Sequence, residues 1–231
     1  RIGRKNLTKK ILEKVPVVFQ VFDVIEYDAT DIRSMEYIER KRILKKLVSK
    51  NFKRFRIGES IKISSWKDLA KLREESRERN VEGFILKNKT SEYLTGRRRG
   101  GWWKWKVDPY TIDAVMIYAQ RGHGRRASLY TDYTFGIWND GKLISFAKAY
   151  SGLTDEEIRK VDDFVRKNTL EKFGPVRTVK PELVFELSFE GIQLSSRHKS
   201  GIAVRFPRIT KWRTDKKPQD ADSLESIKSL L

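Results

Sequence analysis

Cysteine is absent from the 231 residues, which excludes disulfides, thiolate nucleophiles and cysteine-based zinc sites. Only two histidines occur, His123 and His198, too few for a histidine metal site without carboxylates. Long apolar runs are missing too. The longest, Val15 to Ile25, is broken by Gln20 and Asp23, so it does not read as a membrane span, and no signal peptide is visible. Acid is scarce relative to base: 31 Asp and Glu against 50 Lys and Arg, a net charge of +19 spread along the chain. Such an excess favours a polyanionic partner, nucleic acid before an anionic membrane surface. A generically basic soluble surface is the plain alternative.

What is present suffices for folded cores: 39% hydrophobic residues, with six Trp and twelve Phe. The length suits two domains. Residues 1–14 are basic and mildly helical. Val17 to Ile25, rich in β-branched and aromatic residues, reads as a buried strand. Ser34 can cap a helix to about Ser49, with Ile38, Ile43, Leu44, Leu47 and Val48 as its apolar stripe. Phe55 to Ile63 alternates like a strand, and Ser65 with Asp68 starts a second helix to about Arg79. Asp108-Pro109-Tyr110 interrupts the pattern and marks a domain boundary or an ordinary linker. Beyond it the texture is one of short strands. They are Ile112–Ala119, then a hairpin of Ala127–Trp138 and Lys142–Phe146 across Asn139-Asp140-Gly141, then Leu183–Leu187 and Gly201–Phe206. Gly122 to Arg126 reads as a flexible basic loop. Thr154 and Glu157 form a capping box for one helix carrying Ile158, Val161, Phe164 and Val165, and the tail after Asp220 reads as a terminal helix. Five or so strands around one helix fit a small Greek-key barrel of the oligonucleotide-binding type.

The stretch from Glu82 to Asp108 concentrates the chemistry. A short apolar run, Phe84-Ile85-Leu86, lies between Glu82 and Lys87; a loop carries Arg97, Arg98 and Arg99; and Trp102, Trp103 and Trp105 alternate with Lys104 and Lys106. Strand alternation puts Lys104 and Lys106 on one face and Trp103 and Trp105 on the other, one face for burial and one for an anion. Glu82 and Lys87, five apart, face opposite ways on a regular strand.

Glu82-Gly83-Phe84-Ile85-Leu86-Lys87, then Tyr93…Gly96-Arg97-Arg98, then Trp103-Lys104-Trp105-Lys106 resemble successive nucleotidyltransferase motifs of the ATP-dependent DNA ligases. Three further stretches are similar to that family in the right order. They are Val21–Ile25 followed by Asp31-Ile32-Arg33 and Glu39-Arg40-Lys41; Pro181–Glu186 with Ser195…Gly201; and Arg205-Phe206-Pro207-Arg208 leading to Arg213-Thr214-Asp215-Lys216. The tryptophan-rich form looks bacterial. Asp28-Ala29 stands where the family often has Asp-Gly. A larger departure is the family's nucleophile, the lysine of Lys-x-Asp-Gly. The one Asp-Gly here is Asp140-Gly141, with Trp138 in the lysine's place. Together with an opening of Arg1-Ile2-Gly3 rather than Met, this reads as the C-terminal part of a ligase, unable alone to form the lysyl-AMP intermediate.

The resemblance implies an α+β chain: the C-terminal part of a nucleotidyltransferase (adenylation, ATP-grasp-like) domain over residues 1–108, then an OB-fold β-barrel domain with a C-terminal tail over 109–231. It implies nick sealing with ATP, through lysyl-AMP and DNA-adenylate, by a monomer on nicked double-stranded DNA. The setting is cytoplasmic and nucleoid-associated, with no membrane, in DNA repair, replication or recombination. Phe22 would stack on the adenine of AMP, against the plain reading of a core phenylalanine. Glu82 would hold Mg²⁺ or its water, against a strand-end surface glutamate. Lys104 and Lys106 would contact the α-phosphate, against a solvated strand face. Lys87 and Arg98 would reach the nucleotide, Arg98 being equally readable as a surface arginine. Arg213, Asp215 and Lys216 belong to the motif that orients pyrophosphate, after which the barrel swings about residues 108–110. Arg125, Arg126, Lys142, Arg205 and Arg208 would meet the DNA backbone without reading sequence. From other classes, a non-catalytic OB-fold DNA-binding module and an RNA ligase or capping enzyme remain as alternatives.

Overall fold

The computed structural model describes residues 5–49, 54–79 and 81–231. The chain divides into two compact units, residues 1–107 and 108–231. The start of the N-terminal basic stretch, residues 1–4, lies outside the described residues.

The first unit runs α1 (Lys9–Lys14), β1 (Phe19–Val21), β2 (Glu26–Tyr27), β3 (Thr30–Asp31), α2 (Tyr37–Ser49), β4 (Phe55–Ile57), α3 (Trp66–Glu74), β5 (Gly83–Lys87) and β6 (Trp102–Lys106). Its strands form three separate pairs: β1 with β4 in parallel, β2 with β3 and β5 with β6 antiparallel. Two expectations are corrected here. The strand over Val17–Ile25 shrinks to three residues and is not buried, since Val17, Phe19 and Phe22 are all more than half exposed. The strand over Phe55–Ile63 ends at Ile57. Both follow from the same fact: β1 and β4 share only three rungs, and a two-stranded pair has no second layer to bury its faces. The helix from Ser34 begins at Tyr37 instead. On α2, Leu44 is buried as its stripe requires, but Arg40 and Lys41 are buried beside it. Helix α3 is capped as expected, Ser65 Oγ accepting from the Asp68 amide at 3.2 Å, and stops at Glu74 rather than near Arg79.

The second unit holds β7 (Tyr110–Arg121), β8 (Tyr130–Asn139), β9 (Lys142–Ala149), α4 (Asp155–Lys167), β10 (Thr169–Phe173), β11 (Val176–Val179), β12 (Val184–Phe189), β13 (Gly191–Leu194), β14 (Ile202–Arg205), β15 (Arg208–Trp212) and α5 (Leu224–Lys228). Seven of these strands make one sheet centred on β7, which pairs with β8, β11 and β12; β9 adds to β8, β10 to β11 and β15 to β12. The β8–β9 hairpin turns through Asp140 and Gly141, both at positive φ, as the Asn-Asp-Gly sequence predicts. The Thr154–Glu157 capping box forms, Ile158 of α4 is buried, and Val161 and Val165 join the large core under the sheet with Phe164 packed against it.

The closed barrel is not seen: among the described residues no ladder joins β9 to β15. The two edges are linked instead by one hydrogen bond, the Ile209 amide to the Ser151 carbonyl at 2.9 Å. Gly152 permits this approach, since a Cβ there would stand 1.7 Å from the Ile209 carbonyl oxygen, at φ 115°. The expected flexible loop is partly structured. Gly124–Arg126 forms a 3-10 turn, and Arg126 pairs with Asp155 at 2.8 Å. The hairpin of β10 and β11, and strand β13, carry no strong sequence signal and are read only from the structure.

Candidate active site

The β5–β6 register sets Gly83 opposite Lys106, Ile85 opposite Lys104 and Lys87 opposite Trp102. Residues directly opposite across a ladder share a face. Lys87, Lys104 and Lys106 therefore lie on one face together with Trp102. The expected apolar face of Trp103 and Trp105 is only half realised. Trp103 is 51% exposed, while Trp105 packs on the Arg73 guanidinium (4.9 Å to the ring centroid) and edge-on to Trp66 (6.0 Å).

Trp102, given no role in the sequence reading, is the centre of the site. Phe22, Tyr37 and Tyr93 meet it edge to face, with centroids at 6.1, 6.0 and 5.6 Å. The Lys87 ammonium lies 3.9 Å from its centroid and 4.8 Å from those of Phe22 and Tyr37, and donates to the Phe22 carbonyl at 3.4 Å. Burial pushes the Lys87 amine down to about 8, against the pull of nearby Asp23. A cleft of about 650 Å³, within the range of small-molecule sites, is lined by Phe22, Tyr37, Lys41, Ile85, Lys87 and Trp102 among others.

Phe22 is held open to this cleft from behind. The next residue, Asp23, accepts from Arg40 Nε and Nη2 at 3.0 Å each, and both side chains are almost wholly buried. Arg40 also donates to the carbonyls of Met35 and, at 3.2 Å, Ser91. A buried ion pair with its hydrogen bonds satisfied adds little net stability but fixes geometry, since losing either partner strands a charge. Here it ties the Phe22 segment to α2 and to the loop after β5. Lys41 donates to the Gly58 carbonyl at 2.6 Å, and its amine is lowered by burial.

Glu82 forms an ion pair with Lys106 at 2.8 Å, each side chain about one-third exposed. This corrects the expectation that Glu82 and Lys87 face opposite ways. Gly83, at φ 133°, breaks the regular alternation, so the Glu82 carboxylate reaches a lysine on the Lys87 face. Glu82, Lys104 and Lys106 lie along the same hairpin but outside the lining of the Phe22 cleft. Arg98 is exposed and lines a second cleft of about 590 Å³ with Tyr93, Leu94 and Arg99; Trp102 lines both.

In the second unit, Arg213 and Lys216 converge on a residue not singled out from sequence, Asp113 of β7. Arg213 Nη1 donates to both Asp113 carboxylate oxygens at 3.1 and 3.0 Å, and Lys216 Nζ to one at 2.5 Å. Arg213 also clasps Asp215 at 3.0 and 2.8 Å. That hydrogen bonding holds the Asp215 carboxyl well below the usual range and raises Arg213, while Asp113 raises Lys216. The other basic candidates sit on separate elements. Arg208 pairs with Glu190 at 3.0 Å, Arg205 lies 5.0 Å over the Phe206 ring, and Arg125 and Lys142 are exposed.

Comparison with known proteins follows the same division. The family model described as "ATP dependent DNA ligase domain" matches residues 1–106, and that described as "ATP dependent DNA ligase C terminal region" matches residues 126–216. A probable DNA ligase of Koribacter versatilis is 33% identical over all of this chain and 44% of its own length, and DNA ligase 1 of Korarchaeum cryptofilum is 33% identical over all of this chain and 42% of its own. The chain thus spans less than half the length of these relatives. A solved structure described as Pmar-Lig_Pre matches 85% of this chain and 44% of its own at a TM-score of 0.64 with 18% identity, a likeness of fold.

Proposed function

This chain belongs to the ATP-dependent DNA ligase family, over that family's middle domain and C-terminal region, and from that premise we propose that it serves an ATP-dependent nick-sealing reaction by holding the adenylate and its phosphates. The observation that carries this reading is the shared face of Lys87, Lys104 and Lys106 beside the open Phe22–Trp102 cleft. Phosphoryl transfer asks for positioning and charge neutralisation more than for acid–base groups. Phe22 offers an exposed ring to adenine, Trp102 and Tyr37 line the cleft beside it, Lys87 closes that cleft with a positive charge, and Lys104 and Lys106 continue the charge along the strand toward the α-phosphate.

Glu82 is the carboxylate available for a metal. Among the described residues, no cluster of three or more His, Cys, Asp or Glu could hold an ion unaided. One carboxylate fits Mg²⁺, which keeps several waters and shares its ligands with substrate phosphates. When bound, Mg²⁺ would neutralise phosphate charge, and Glu82 engaged there would release Lys106 to the α-phosphate. In the second unit, read as an opened OB-type domain, Arg213 and Lys216 form the cationic set for pyrophosphate, held in place by Asp113 and Asp215. The join at Asp108-Pro109 is the pivot for a change of partner from nucleotide to DNA. Arg125, Arg126, Lys142, Arg205 and Arg208 meet the backbone of nicked duplex. The protein acts as a monomer in the cytoplasm, at the nucleoid; among the described residues no helix is long and apolar enough to cross a membrane.

These residues contain no Lys-x-Asp-Gly, so none of their lysines is placed as the nucleophile. Incubation of the chain with α-labelled ATP and Mg²⁺ should give reversible nucleotide binding and no acid-stable label. A covalently labelled band would overturn this assignment of roles.

A further inference from the structure

The sheet of the second unit ends in a hairpin whose charge the nick-sealing reading does not use. Lys172 of β10 stands directly opposite Arg177 of β11, and Arg177 opposite Ala119 of β7. Residues opposite one another share a face. Ala119 belongs to the core, so Lys172 and Arg177 extend the core side of the sheet beyond the core itself. Like charges directly opposite each other destabilise a strand pair. Arg177 donates to the carbonyls of Gly174 and Val176 at 2.7 and 3.0 Å, which fixes the guanidinium without neutralising it.

Tyr130 of β8 gathers further cations on this side. The guanidinium carbons of Arg121, Arg166 and Arg177 lie 5.8, 5.7 and 5.9 Å from its ring centroid. Asp162 of α4 is buried and already engaged, accepting from the Tyr130 amide at 2.8 Å and from Arg166 Nε at 2.6 Å. Among the described residues, Arg121, Lys172 and Arg177 pair with no carboxylate. Glu171, next along β10, stands opposite Thr178 on the other face. Strand β10 is also an end strand of the sheet. A register shift leaves Leu170 without a cross-strand partner, and Leu170 and Phe173 are 58% and 60% exposed.

We propose that this edge binds an extended acidic segment of a partner protein, whose carboxylates meet Arg121, Lys172 and Arg177 and whose apolar side chains cover Leu170 and Phe173. Cations alone would suit any polyanion. Nucleic acid is disfavoured because the Tyr130 ring is buried and ringed by guanidiniums, so it offers no face to a base, and an exposed leucine gains nothing from a phosphate backbone. A second copy is disfavoured because a self-complementary contact would bring the same cations together. An extended peptide can take main-chain hydrogen bonds along a sheet edge, with alternate side chains giving specificity. None of the residues assigned to nick sealing takes part, so the inference stands apart from that reading.

Fluorescence anisotropy of the intact chain with a short labelled peptide of alternating Glu and Val tests it, alongside the Lys–Val counterpart and a nicked duplex. The Glu–Val peptide should bind and the Lys–Val peptide should not. Lys172→Ala with Arg177→Ala should weaken the Glu–Val peptide about tenfold, the loss of two screened ion pairs. Lys172→Ala alone, at an exposed position, should weaken it about threefold, and Phe173→Ser about fivefold. Lys172→Glu with Arg177→Glu should transfer binding to the Lys–Val peptide. Nicked-duplex affinity should change by less than about twofold in the alanine and serine variants. An unchanged melting temperature confirms that each variant folds. The proposal is overturned if the Glu–Val peptide does not bind, if the alanine and serine variants bind it like the parent, if charge reversal leaves the preference unchanged, or if duplex affinity falls in the same proportion.

Discussion

Lys87 is caught between two opposed effects. Three aromatic rings within 4.8 Å attract its charge, while burial strips the water that would stabilise it. Burial wins, bringing the amine down to about 8. The sign of the pH effect follows. Below 8 the amine is charged and can meet a phosphate; above 8 it is increasingly neutral, well before an ordinary lysine would be. A bound phosphate favours the charged form, so nucleotide affinity should fall as pH rises through that value. Calorimetric titration should show affinity for ATP about tenfold lower at about pH 9 than at about pH 7.5, with Lys87→Arg nearly flat, because a guanidinium stays charged throughout. An equally steep fall in Lys87→Arg would place the titrating group elsewhere. At this scale the sequence exposed the cations and Phe22, the latter through its resemblance to a motif. It hid their partners. Asp23 and Asp113 were both visible as carboxylates inside apolar runs, a position that demands a buried partner. Nothing in their spacing says that the partners are Arg40, 17 residues on, or Arg213 and Lys216, 100 and 103 residues on.

The β5–β6 hairpin shows why alternation is necessary but not sufficient. Period two put Lys104 and Lys106 together from sequence, but cross-strand register, which added Lys87 and Trp102 to that face, had to come from the structure. Gly83 is the hinge of this arrangement. It sits at φ 133°, and a Cβ would stand 2.3 Å from the Trp105 carbonyl oxygen. Gly83→Ala should cost about 3 kcal/mol from backbone strain and steric overlap. It should also part Glu82 from Lys106. Urea denaturation followed by tryptophan fluorescence checks the first effect, and an unshifted midpoint would contradict the strain. The β1 segment failed in the opposite direction. Its composition correctly signalled a strand, but burial belongs to whatever lies over a strand, and among the described residues of the first unit no layer covers Phe19 or Phe22. For Phe22 that exposure is what a stacking platform needs.

Taken whole, the molecule puts its apolar burial and its charge in different places. The large core belongs to the second unit, while the first unit gathers exposed aromatic and aliphatic side chains around the Phe22 cleft. The net charge of +19 lies mostly in the first unit, and in both units specific carboxylates hold cations in place: Lys106 by Glu82, Arg213 and Lys216 by Asp113, Arg208 by Glu190. Composition alone reported a taste for polyanions; the pairings show which cations have their geometry fixed in advance. The claim on which the account rests is that adenine enters the cleft lined by Phe22, Tyr37 and Trp102 and stacks on the exposed Phe22 ring. Photo-crosslinking with an azido-adenine analogue of ATP, followed by peptide mass spectrometry, measures this directly. Adducts should fall on the peptides containing Phe22, Tyr37 or Trp102 and vanish with excess ATP. Competable adducts confined to other peptides, with none on these three, would contradict it.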